Sequence, residues 1–233
     1  MIKRFTVFLI LLGLGAIFLQ MLMQYVPDTG LNWSARYYAE NAANEVGAAN
    51  VVTAIIVTYR GLDTLGEVTV LFLTAAIVGL VLSQDEKRAT RPAAERPGPG
   101  ELLITGSRLL VPLILLFGAY IFINGHLTPG GGFQGGAILA SATLLLLLTR
   151  PVKHFSHVAI TRLESVSGLV FVVVGLFGLA LAGGFLDSRI LPTGTLGELF
   201  SAGTIPIIYS FIGLKVGAEF SSMLLKLAET EDS

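Results

Sequence analysis

The sequence predicts an all-α, polytopic membrane protein. Three observations carry the prediction: 53% of its 233 residues are hydrophobic, only 13% are charged, and several long stretches hold no charge at all. A soluble domain carries about 25% charged residues, and the mean hydropathy here is +0.77. The net charge of −1 offers no electrostatic footprint for nucleic acid. The absence of cysteine removes disulfides, iron–sulfur ligation and thiol chemistry.

A span needs about 20 apolar residues. Residues 5–26 are uncharged and follow the basic Lys3 and Arg4. The run is longer than a signal-peptide core and lacks an Ala-x-Ala-like end, so it is expected to be an uncleaved first span. Residues 46–82 present the difficult region. As one helix they would measure roughly 56 Å, nearly twice a bilayer core. A short interfacial helix over 46–59, followed by a crossing over 66–82, fits better than two full passes. Further crossings are expected over 109–125, 133–149, 165–186 and 199–214, some extended through interfacial residues.

This arrangement gives about six spans, two plus four, with both termini cytoplasmic. Ten basic residues then fall on one side (Lys3, Arg4, Lys87, Arg88, Arg91, Arg96, Arg150, Lys153, Arg162 and Lys226), against Arg36 and Arg189 in the opposite loops. That bias marks the cytoplasmic face. The stretch "SQDEKRATRPAAERPGPGE" is polar and rich in proline and glycine, so it reads as a linker. The expected organisation is a two-span module over 1–83, a cytoplasmic linker over 84–101 and a four-span module over 102–233. Residues 151–163 could form an amphipathic surface helix.

Charge within a membrane is costly, about 2.5–3.5 kcal/mol at a helix centre on insertion scales. "RGLDTLGE" holds Arg60, Asp63 and Glu67 at i, i+3 and i+7, one face if helical. It is either an interfacial salt bridge that seats the helix or a relay in which Glu67, with Asp63, carries protons or sodium. "GLKVGAEF" holds Lys215 and Glu219 at i, i+4. Either Lys215 snorkels to the cytoplasmic face near the helix end, or the pair stands beside a hydrated path. Glu198 reads as a helix-start carboxylate, and Gln20 and Gln24 as interhelical glue. His154 and His157 read as surface residues, without metal spacing or carboxylate company.

"NGHLTPGGGFQGG" carries six glycines in thirteen residues. A phosphate cradle would need a lysine followed by Ser or Thr after the last glycine; here Phe133, Gln134 and an apolar run follow. A tight outer hairpin is expected, with Pro129 stiffening the turn and Gly132, Gly135 and Gly136 offering a surface for close helix packing. His126, the ionisable group there, is a candidate pH-responsive gate.

The same stretch, preceded by "RLLVPLILLFGAYIFI", resembles the signature of the B subunit of Mrp-type Na+/H+ antiporters. The pattern falls on Gly125, His126, Pro129, Gly130, Gly131, Gly132, Phe133, Gly135 and Gly136. "GLKVGAEF" is similar to the last span of these proteins and of their counterparts in membrane-bound hydrogenases. "NVVTAIIVTYRGLDTLGEVTVL" resembles the C-terminal segment of the Mrp A subunit, which in membrane-bound hydrogenases is a separate small protein. The chain therefore resembles a fusion of the two.

The resemblance implies a non-redox transport subunit without a cofactor, placed in a prokaryotic cell membrane. It would work beside other Mrp-type subunits, including large complex-I-like antiporter subunits, to move Na+ and H+. The alternative parent is a hydrogenase or related respiratory complex, or the chain is packing material only. The resemblance places function around Pro129 and Phe133 and around Asp63 and Glu67. Lys215 and Glu219 are added as candidates for a hydrated interface. An enzyme is disfavoured, because HExxH, GxSxG and clustered histidines are all missing.

Overall fold

The computed structural model describes residues 2–25, 30–86, 98–149 and 155–232. The chain divides into two compact units, residues 1–37 and 38–233. In the first, α1 (Ile2–Gln24) is uncharged from Phe5 and apolar around its whole circumference, as a membrane span should be. Trp33 and Tyr37 stack with ring centroids 5.9 Å apart at the start of α2 (Trp33–Val46). Asn32 begins that helix by accepting the Ala35 N–H at 2.8 Å.

In the second unit α2 buries Ala42 and Val46. It stops at Gly47, whose φ of +75° suits a residue without a side chain. Asn50 then caps a short α-turn, α3 (Val51–Thr53), by accepting the N–H groups of Val52 and Thr53. The turn continues as a π-helix over Ala54–Tyr59. After Arg60 the chain enters α4 (Gly61–Glu86). The remaining described elements are α5 (Glu101–Ile123), α6 (Gly132–Leu147), α7 (His157–Leu181) and α8 (Ile205–Asp232), with a 3-10 turn at Ser188–Ile190. No strand occurs among the described residues.

α8 is the axis of this unit. Ile208, Tyr209, Ile212, Val216 and Leu225 are almost fully buried along it, while its neighbours bury far less of their length. Directions follow from contacts. Gly132 lies against Ile212, Gly136 against Val216, and Thr143 bonds Ser221 at 2.8 Å, so α6 and α8 run parallel. Phe72 meets Lys215 and Gly79 meets Lys226, so α4 also runs with α8. α7 runs against α8, because Gly168 faces Lys215 and His157 pairs with Glu229 at 2.8 Å. α5 and α6 form the antiparallel hairpin, with Gly118 and Phe122 against Gly135. Helices alternating in direction are what successive membrane crossings require.

Among the described residues, five helices are long and apolar enough to cross a membrane: α1, α4, α5, α7 and α8. The crossing expected over 133–149 is the shorter α6, whose 16 residues rise about 24 Å. Other boundaries move because the sequence reading ended each span at the first charge. α5 begins at Glu101 and takes in Arg108. α7 absorbs residues 157–163 of the expected surface helix, whose residues 151–154 lie outside the described ones. α8 starts six residues later than expected and runs past Lys215 to Asp232.

The stretch expected as a short interfacial helix over 46–59 is divided between two elements and packs into the protein. Val46 closes α2, and Thr53, Ala54 and Val57 of the α/π stretch are completely buried. Most of the basic linker, including Lys87, Arg88, Arg91 and Arg96, lies outside the described residues, as do Arg150, Lys153 and His154.

Candidate functional site

The glycine-rich hairpin is clamped from the front of the chain. Asn50 Nδ2 donates to the carbonyls of Gly125 at 2.9 Å and Thr128 at 3.0 Å. Its backbone N–H donates to His126 O at 3.0 Å. Thr53 Oγ1 donates to Gly125 O at 2.7 Å, and the Tyr209 hydroxyl donates to Thr53 Oγ1 at 3.1 Å. Buried carbonyls at a helix end need such partners. Close approach needs the glycines: a Cβ on Gly125 would lie 2.6 Å from the Tyr209 ring, and one on Gly132 would lie 2.6 Å from Ile212 Cβ. Pro129 is exposed at the tip, Gly130 folds back on Ile121 and Gly131 on Gln134 and Tyr209. Phe133 packs against the core.

His126 is fully buried. Its Nε2 stands 3.4 Å from Glu198 O, and Nδ1 has no hydrogen-bond partner. Burial lowers its pKa below the usual 6.5, with carbonyl contacts led by Glu198 opposing. The imidazole is therefore neutral when folded and takes a proton more readily when unfolded. Stability should be full above about pH 6.5 and should decline as pH falls from there through the depressed value. Thermal unfolding between pH 7 and pH 5 checks this, and His126→Gln should flatten that part of the profile. Glu198 is not a helix-start residue; it sits in the turn before α8 and serves His126 through its carbonyl.

The second feature is the buried pair on α8. Lys215 Nζ donates to Glu219 Oε1, with the lysine side chain 8% exposed and the glutamate 0%. The ammonium also lies 5.3 Å from the centre of the Phe72 ring on α4, within cation–π range. Glu219 Oε2 has no hydrogen-bond partner. The pair stands well inside a 28-residue helix, so the snorkelling reading does not hold within this chain. A cavity of about 270 Å³ opens beside it, lined by Val68, Phe72, Glu164, Gly168 and Lys215.

The other acidic candidates stand apart. Asp63 pairs with Arg60 at 2.6 Å with both side chains at least half exposed. Glu67 is exposed on α4, and neither it nor Asp63 lines the Lys215 cavity.

Three features escaped the sequence reading. Glu164 directly precedes the uncharged run over 165–186, yet it lies two turns inside α7 and lines the cavity; its i, i+4 spacing to Gly168 is the available signal. His157, read as a surface residue without carboxylate company, opens α7 and pairs with Glu229. Asp187 binds Arg189 through both carboxylate oxygens, and this contact raises the arginine's pKa further above its ordinary value.

The chain is thus a helical membrane protein with a clamped glycine hairpin and a buried lysine–glutamate pair. The family model of the domain related to the MnhB subunit of Na+/H+ antiporters matches residues 102–222. The chain belongs to that family. The family model for the E subunit of MBH matches residues 3–98.

Among solved structures, a chain of the membrane-bound sulfane sulfur reductase, an archaeal respiratory membrane complex, is 43% identical with a TM-score of 0.80. The match covers 97% of this chain and 98% of that one. A chain of the Mrp complex from Dietzia sp. DQ12-45-1b is 28% identical with a TM-score of 0.76, over 97% of this chain and 26% of that one. The probable K+/H+ antiporter A/B subunit of Rhizobium meliloti is 30% identical over 71% of this chain, which spans only 19% of that protein's length. This is a multi-pass protein of a prokaryotic cell membrane.

Proposed function

We propose that the chain is the accessory ion-translocating subunit of an Mrp-type Na+/H+ module, beside large antiporter-type subunits. The observation that carries this is the Lys215–Glu219 pair, buried inside the protein with Lys215 lining a cavity. Unpaired, a buried charge would cost several kcal/mol; as a pair with one carboxylate oxygen free, it is a place where a cation can exchange. The chain itself is a non-catalytic transport subunit. Its organisation is a two-span module over 1–83, a linker over 84–101 and a four-span module over 102–233, with both termini cytoplasmic. Asp63 and Glu67, on the exposed side of α4, form the approach that a neighbouring subunit completes.

The end-to-end match to a chain of an archaeal respiratory membrane complex favours a redox-driven parent. A secondary antiporter is the second reading, supported by the fused A/B relative.

Affinity purification from native membranes tests the reading. The chain should emerge with large membrane subunits, and the reconstituted assembly should move Na+. A stable monomer that transports alone would contradict it. Glu67→Gln should impair Na+ extrusion several-fold while leaving assembly intact; unchanged transport would reduce Asp63 and Glu67 to seating residues. Transport powered by a reductant, rather than by a pH gradient alone, separates the two parents.

A further inference from the structure

We infer that Glu164 completes a site for one monovalent cation with Lys215 and Glu219, and that the cavity between α4 and α7 is its mouth. The inference rests on the reading of Lys215 and Glu219 as ion-path residues and names a third residue and a binding stoichiometry.

Glu164 and Lys215 line one cavity of about 270 Å³. At roughly 30 Å³ per water, that space holds several waters or a partly hydrated cation. Glu164 and Gly168 are i, i+4 and share a face of α7. A Cβ on Gly168 would stand 3.2 Å from Lys215 Cε, so the glycine lets the lysine stem pass along α7 on the face that carries Glu164. Across the cavity α4 contributes only Leu65, Val68, Thr69 and Phe72. The titratable groups at the site are therefore Glu164 from α7 and Lys215 and Glu219 from α8, with none from α4 lining the cavity.

Two carboxylates and one ammonium carry a formal charge of −1, which one monovalent cation neutralises. With Lys215 on Glu219 Oε1, the buried carboxylate is paired and Glu164 faces the cavity. A lysine on four rotatable carbons can turn its ammonium toward Glu164. That movement strips Glu219, whose side chain is 0% exposed, and a bare buried carboxylate is strongly disfavoured. The lysine leaves only as a proton or a sodium ion takes its place on Glu219, and its return expels that cation. No covalent bond other than O–H is made or broken.

The test uses the assembled complex in native membrane vesicles, comparing wild type with E164Q, E164D and E219Q. Sodium is titrated at fixed pH in one arm, and pH is varied without sodium in the other. E164Q should raise the half-saturating Na+ concentration about tenfold or more, the loss of one charge-assisted partner, with E164D between it and wild type. A shift confined to the pH arm assigns the proton as the cation and supports the same site. Wild-type half-saturation in both arms for E164Q, with E219Q inactive, overturns the role of Glu164 and leaves the pair's role standing. Wild-type behaviour in both E164Q and E219Q overturns the underlying reading. If E164Q fails to assemble, E164D decides: an unshifted half-saturation in both arms overturns the inference.

Discussion

Lys215→Met is expected to destabilise the assembled chain by about 3–5 kcal/mol, the range for removing one partner of a buried ion pair. Glu219 is wholly buried and takes its one hydrogen bond from Lys215, so losing the lysine leaves its charge without compensation. The partner substitution reverses the sign. Lys215→Met combined with Glu219→Leu replaces the pair by apolar groups of similar volume, and such replacements are often neutral or stabilising. Thermal unfolding of the purified complex should therefore show the single variant well below wild type and the double variant close to it. A single variant as stable as wild type would mean that Glu219 meets other partners in the assembly.

The second large effect falls on the hairpin. Gly136→Val places a Cβ 2.7 Å from Val216 Cβ and 2.8 Å from Gly213 O. Both atoms belong to α8, and the second is backbone, so neither can move aside cheaply. Overpacking of a core costs about 1–3 kcal/mol for even small insertions; valine adds two further methyl groups. The expected result is loss of assembled protein from the membrane. Gly66→Ala is the control, because a Cβ there meets nothing within 4 Å and alanine favours a helix interior by roughly 0.5–1 kcal/mol. Equal yields for both would show that α6 and α8 can separate without consequence.

Much of this was legible in the sequence, and the rest was hidden for physical reasons. Uncharged runs reveal helices that face lipid, so α1 and α4 were found. They mislead where a charge is paired inside the protein: ending the last span at Lys215 cost α8 its final 18 residues and made the buried pair look terminal. α2 was missed because its sequence, "WSARYYAENAANEV", is polar overall and buries only small patches such as Ala42 and Val46. The glycine hairpin was visible, but its clamp was not. Nothing local says that Asn50, 75 residues before Gly125, donates to it; only the Asn-Val-Val-Thr cap pattern hinted at a helix start there. Glu164 was overlooked because a charge preceding an apolar run reads as interfacial, whereas two helical turns bring it to the cavity that Lys215 also lines.

The central claim is that the charges at Lys215 and Glu219 serve cation movement and not packing. Cation transport by the Lys215→Met/Glu219→Leu complex, measured in vesicles containing the same amount of assembled protein as wild type, tests it most directly. The account predicts an intact complex whose Na+ and H+ movement is abolished. Transport at the wild-type rate from that complex would contradict it.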